Sequence, residues 1–254
     1  MTINLPEIGF GTWQMSGAEC VEAVAEALRA GYRLIDTAKI YGNEAEVGEA
    51  IRHSHIPREE ILLTTKLWPS DFGYDSALRA CDESLDRLGL EYIDLYLIHW
   101  PRNDKDARHE SWRAMVELKK QKLARNIGVS NFQVSHLKDL LAESDVHPAV
   151  NQIEFHPYVY HEQCPVLEYC RQNNIVVEAY SPLSRGHGMD SITAMDISER
   201  TGRTPAQVLL RWAIQHGTVP IPKSAHSGRI KENFDVFDFE LAADDMKALD
   251  DLSN

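Results

Sequence analysis

The chain has 254 residues, of which 43% are hydrophobic and 26% charged, and 26 Lys plus Arg against 39 Asp plus Glu leave a formal net charge of −13. This length suits one large domain rather than a small stapled module, and the apolar and charged fractions exclude the disordered and fibrous classes. The acidic balance argues against a polyanionic partner, because a nucleic-acid backbone or an anionic lipid face would be repelled.

Cys20, Cys81, Cys164 and Cys170 are few for this length and show neither CxxC nor Cys/His ligand spacing, so four reduced thiols are expected rather than a disulfide framework or a zinc knuckle. The opening Met1-Thr2-Ile3-Asn4-Leu5-Pro6-Glu7 has no basic region followed by an apolar stretch, and nowhere do eighteen apolar residues run together. A soluble, cytoplasmic protein with no membrane span is the expectation.

In chain order, short apolar runs at 8–12, 33–36, 61–65, 95–98, 126–129, 149–153, 176–179 and 218–221 predict eight strands buried on both faces, as parallel strands are. Amphipathic stretches separate them. The segment 18–29 carries Val21, Val24, Ala25 and Leu28 on one helical stripe, and 76–88 repeats the period through Ala77, Cys81, Leu85 and Leu88 before Gly89. Further helices are predicted at 111–121, 134–142, 165–173, Pro205–Gln215, 228–233 and 243–252, with no Gly-, Pro- or Ser-rich linker anywhere. Eight units of about 32 residues match the ~30 of a βαβ step. The reading is a single α/β domain over 1–254, a (β/α)8 TIM barrel.

A barrel of this kind carries its chemistry at the C-terminal ends of its strands. Asp36, Lys66, His99, Ser130, Asn131, Glu154, Tyr180 and Lys223 all end or follow a predicted strand, although a lone charge there would cost several kcal/mol to bury. With Tyr41 in the first loop after Asp36, the set has a clear use. A phenol of pKa ~10 is a poor acid at neutral pH, and a neighbouring ammonium lowers that value. Lys66 supplies the charge, Asp36 holds Lys66, and His99 orients the reacting oxygen, which makes the group a proton donor for a carbonyl.

The strings Leu34-Ile35-Asp36-Thr37-Ala38, Tyr41-Gly42-Asn43-Glu44, Thr65-Lys66-Leu67-Trp68 and Asp94-Leu95-Tyr96-Leu97-Ile98-His99-Trp100-Pro101 resemble, in order and spacing, the signatures of the aldo-keto reductases, in particular short prokaryotic-type members. The resemblance continues through Ile127-Gly128-Val129-Ser130-Asn131-Phe132, Asn151-Gln152-Ile153-Glu154, Ala179-Tyr180-Ser181-Pro182-Leu183 and Ile221-Pro222-Lys223-Ser224, covering almost the whole chain. It implies a monomeric NADPH-dependent carbonyl reductase with the tetrad Asp36, Tyr41, Lys66 and His99 and with Tyr41 as general acid. It further implies that Tyr180 stacks on a nicotinamide whose carboxamide meets Ser130, Asn131 and Gln152, with Ser181 and Leu183 also at the cofactor. Lys223, Ser224 and Arg229 match positions that clasp the adenosine 2′-phosphate, and Glu232 and Asn233 those that meet the adenine. Two cations and a hydroxyl suit a dianion, so NADPH is favoured over NADH. His226 stands where relatives often carry another basic residue, which weakens the clamp or makes it pH-dependent.

Trp13, Trp68 and Trp100 are expected to wall the carbonyl pocket, which fits keto-sugars, methylglyoxal or aromatic aldehydes. No GxGxxG follows a strand, so a Rossmann site is not indicated. No metal is expected, since neither His53 with His55 nor His156 with His161 has helical i, i+4 spacing and an acidic third ligand. The hairpin that closes the barrel floor in relatives is expected to be shortened, at a cost to stability, and the C-terminal tail short, which leaves an open pocket of broad selectivity. The alternative reading is an NADPH-binding structural or regulatory subunit with little turnover.

Overall fold

The computed structural model describes residues 3–253. Eight parallel strands lie in sequential order: β1 (Phe10–Gly11), β2 (Leu34–Asp36), β3 (Leu62–Leu67), β4 (Ile93–Ile98), β5 (Ala124–Ser130), β6 (Val150–Glu154), β7 (Val176–Tyr180) and β8 (Val219–Pro220). The sheet curls until its edges meet. Gly9 N donates to Pro220 O at 2.9 Å and Gly11 N to Pro222 O at 3.0 Å. Both bonds run from the β1 segment to the β8 segment, because the prolines have no N–H to return.

Helices cover the outside: α1 (Gly17–Ala30), α2 (Glu44–Arg52), α3 (Tyr74–Leu88), α4 (Lys105–Lys120), α5 (Val134–Glu143), α6 (Tyr160–Gln172), α7 (Ile192–Thr201), α8 (Pro205–Gln215), α9 (Ser227–Phe234) and α10 (Ala243–Asp250). Among the described residues none is long and apolar enough to cross a membrane. The eight expected strands are all present, with ends moved by a few residues. Two helices were not anticipated, α2 and α7. Helix α4 starts at Lys105 rather than 111, because the Asp104 carboxylate accepts from Ala107 N at 3.0 Å and caps the first turn. Helix α6 starts at Tyr160, so Pro165 is not its opening residue but lies inside it, where its missing N–H removes one helical bond.

Among the described residues no strand precedes β1. Ile3 and Leu5 instead cover the barrel floor, against a cluster formed by Leu95, Leu97 and Val150, and Leu5 also meets Leu34, Val219 and Ile221. This apolar floor replaces part of what a hairpin would bury.

The placement of α2 matters to the site above. Glu44 at its first turn is 1% exposed, accepts from Thr65 Oγ1 at 2.6 Å and pairs with Arg87 of α3 at 2.7 Å, so it ties β3 to two helices next to Lys66. Close approach of α2 to α3 requires glycine at 48, where a Cβ would stand 1.9 Å from Leu88 O. Arg52, one turn later, donates to that same carbonyl. Gly48→Ala is expected to lower the thermal midpoint by roughly 5–10 °C, the size of about 2–3 kcal/mol of overpacking against unyielding backbone. A calorimetric midpoint equal to wild type would show that α2 docks without this contact.

Candidate active site

Lys66 lies in β3, wholly buried, and Asp36 ends β2 at 2% exposure. Lys66 Nζ donates to Asp36 Oδ1 at 2.8 Å, to Asp36 Oδ2 at 2.7 Å and to Thr37 O at 2.9 Å. Burial works against the ammonium most strongly of any one influence, yet the acidic groups around it, Asp36 first among them, together outweigh it, and the Lys66 pKa is raised. The amine is therefore a fixed positive charge inside the barrel.

Tyr41 closes a short turn, Lys39–Tyr41, that follows β2 and ends at Gly42 in the left-handed region (φ 70°). Its ring stands 5.1 Å from Lys66 Nζ and 5.9 Å from the His99 ring, edge-on. Burial raises the phenol pKa; the charge of Lys66 pulls the other way, and Asp36 adds a rise. The balance lies above the ordinary tyrosine value, a correction to the expectation that the Lys66 charge brings it down. The phenol is thus firmly protonated while it waits.

His99 follows β4 and is 8% exposed. Burial first and the Lys66 charge second push its pKa down to about 2, so the imidazole is neutral at any physiological pH. Trp68 packs edge-on against it at 5.1 Å.

These groups open onto a cavity of about 880 Å³ at the C-terminal ends of the strands. Asp36, Tyr41 and His99 line it, as do Trp13, Trp68 and Trp100; Lys66 sits beneath them and does not. Trp13 and Trp100 are 45% and 44% exposed, which suits a wall at the mouth. The opposite side carries Ser130, Asn131, Gln152 and Tyr180. Tyr180 OH donates to Asn131 Oδ1 at 2.8 Å, Asn131 Nδ2 donates to His99 O at 2.9 Å and to Ser130 Oγ at 3.0 Å, and Ser130 Oγ donates to Gln152 O at 2.9 Å. Ser181 and Leu183 continue this wall. The far end is formed by Lys223 and Ser224 before α9, Arg229 in its first turn, and Glu232 and Asn233 in its last. Lys223 and Arg229 are exposed and make no ion pair or hydrogen bond among the described residues, whereas Glu232 is engaged by Thr204 Oγ1 at 2.7 Å.

Sequence reading did not single out Glu178, Glu44 or Arg185. Glu178 is a fully buried carboxyl in the middle of β7, and its signal was a charged residue at an inward position of an apolar strand. Burial and then Asp36 push its pKa up to about 7, against the Gln152 hydrogen bond and Lys66, which pull it down. Arg185, in a left-handed stretch of the segment after β7, lies over the Trp13 ring at 5.6 Å and lines the cavity.

With this geometry in view, comparison with known proteins is informative. The model of the Aldo/keto reductase family matches residues 7–254. Glyoxal reductase of Bacillus subtilis is 46% identical over 99% of this chain and 90% of its own. A crystal structure of an aldo/keto reductase from Brucella melitensis superposes with a TM-score of 0.93 at 50% identity, covering 98% of this chain and 94% of that one. A mutant of Gox0644 crystallised in complex with NADPH superposes with a TM-score of 0.91 at 44% identity, covering 97% of this chain and 89% of that one. The order of the strands, the buried Asp36–Lys66 pair beneath a phenol and an imidazole, and these matches along the full length agree: the chain belongs to the aldo/keto reductase family.

Proposed function

We propose that the protein is an NADPH-dependent reductase of small aldehydes and ketones, with Tyr41 as the acid that protonates the carbonyl oxygen. The observation that carries this reading is the convergence on one cavity of a protonated phenol and a neutral imidazole, directly above a buried ammonium already neutralised by a carboxylate.

The cavity residues fit the dinucleotide. In a chain of net charge −13, two cations without ion-pair or hydrogen-bond partners among the described residues, Lys223 and Arg229, stand beside Ser224 at a helix N-terminus, a donor set suited to a phosphate dianion. Ser130, Asn131, Gln152 and Tyr180 offer polar edges and an aromatic face at the other end. Bound there, NADPH supplies the hydride that reduces the carbonyl carbon. The chain's own residues do the rest. The tryptophan walls screen the reacting carbonyl from water. His99, neutral, aligns the carbonyl oxygen without competing for its proton. Tyr41 delivers that proton as negative charge builds on the oxygen, and the Lys66 ammonium stabilises the phenolate left behind. Glyoxal, methylglyoxal, keto-sugars and aromatic aldehydes all present one carbonyl to a mouth of this size.

Mixing the protein with NADPH and methylglyoxal and following the reduced-nicotinamide absorbance tests the reading. Steady loss of absorbance is expected; saturable NADPH binding with no loss across several carbonyls would instead favour the non-catalytic subunit. Tyr41→Phe is expected to lower kcat about a thousandfold, the scale of a lost general acid, while the Kd for NADPH measured by fluorescence stays within about threefold. Turnover near wild type in that variant would remove Tyr41 from the role. Arg229→Ala is expected to raise the Kd for NADPH by about tenfold and leave that for NADH nearly unchanged, because one charge-assisted contact to the 2′-phosphate is lost. An equal effect on both nucleotides would contradict the clamp.

A further inference from the structure

The reaction described above gives Glu178 no task, yet its position is specific. Gln152 of β6 and Glu178 of β7 are register partners, so their side chains share the inward face of the barrel. Gln152 Nε2 lies 2.7 Å from Glu178 Oε2 and 2.8 Å from Asp36 Oδ2, the second of these contacts reaching across the barrel to β2. A side-chain amide nitrogen has two hydrogens, and both have an acceptor here. The amide oxygen of Gln152 has no hydrogen-bond partner among the described residues, and Gln152 lines the cavity. Turning the amide over would set that oxygen against the Asp36 carboxylate, which is paired with Lys66, and would take both hydrogens away from their acceptors. Asp36 alone does not fix the arrangement, since it takes only one hydrogen and leaves the other free to turn outward.

We propose that Glu178 is a positioning residue: together with Asp36 it takes both N–H groups of Gln152 and so commits that amide to present only an acceptor to the cavity. The proposal rests on the reading that the cavity takes a nicotinamide. A site that offers an acceptor selects a ring substituent able to donate, as a primary carboxamide does. It gains nothing from a methyl ketone in the same place. Glu178 thereby acts on cofactor choice through Gln152 without touching the reacting atoms.

The experiment compares the Kd of NADPH with that of its reduced 3-acetylpyridine analogue, in which a methyl ketone replaces the carboxamide, by quenching of tryptophan fluorescence. In the wild type, NADPH is expected to bind about tenfold more tightly, the worth of one hydrogen bond with its partner otherwise unsatisfied. Glu178→Gln keeps an acceptor and removes only the charge, so the ratio should hold within about threefold. Glu178→Met removes the acceptor, and the ratio should fall towards one through weaker NADPH binding, with the analogue little changed. A wild-type ratio in Glu178→Met, an equal loss for both nucleotides, or a collapsed ratio in Glu178→Gln would each overturn the proposal. Hydrogen exchange of the Gln152 side-chain amide in the wild-type protein gives a readout that no misfolded variant can obscure. Both hydrogens should exchange slowly, and free exchange of either one contradicts the arrangement. Failure of the wild type to bind either nucleotide, with both amide hydrogens protected, would count against the NADPH reading and leave the role of Glu178 in orienting Gln152 supported.

Discussion

A positive charge with no access to water is the condition around which this barrel is arranged. Lys66 is wholly buried, and an uncompensated ammonium in such a place costs several kcal/mol. The compensation is local and complete: Asp36 supplies two acceptors from the neighbouring strand and Thr37 a third. Asp36 in turn receives Gln152 from the far side of the barrel, and Gln152 receives the constraint of Glu178. One ion pair thus joins β2, β3, β6 and β7 through hydrogen bonds across the interior. Removing a single member of the pair would leave a naked charge and destabilise the fold by about 3–5 kcal/mol, so geometry and charge are specified together.

Burial and the same ion pair together set the protonation of Tyr41 and His99 above it. Asp36 keeps Lys66 charged, and Lys66 helps to keep His99 neutral and opposes the rise that burial imposes on Tyr41. A phenol that is too acidic would lose its proton before substrate arrives, and one with no cation beside it would hold the proton too tightly. The balance leaves Tyr41 protonated and, under the proposed function, sets the stabilising charge where a phenolate would form. The rest of the cavity follows a different rule. Its far end carries Lys223 and Arg229, unpaired among the described residues in an otherwise acidic chain, and its near wall is tryptophan.

Much of this was legible in the sequence because polar residues that end apolar strands have few bland explanations. Asp36, Lys66, His99 and Ser130 stood out in that way, and the structure gathers them at one end of the barrel. Eight short apolar runs were enough to give the strands. The misses have physical causes. Helix α2 spans only nine residues and carries Gly48 at its middle, so it is marginal by itself and depends on its contact with α3. Pro165 looked like a helix start because proline is favoured there, while the real start, Tyr160, carries no such mark. The upward shift of Tyr41 was not legible at all, since burial is a property of the folded surroundings rather than of the neighbours in sequence. Glu178 was missed for the opposite reason: as the one charge in the run Val176–Tyr180 it was visible, but its use became evident only when β6 was set beside β7.

The influence of Lys66 on Tyr41 is open to direct measurement. Titration of the Tyr41 phenol, followed by NMR of a carbon-13 label at its ring carbon Cζ, should be compared between wild type and the double variant Lys66→Met with Asp36→Asn, which removes both charges and leaves neither unpaired. The account predicts that the phenol titrates at a distinctly higher pH in the double variant, because the lowering by Lys66 is larger than the rise due to Asp36. A phenol that titrates at the same pH or lower would contradict it.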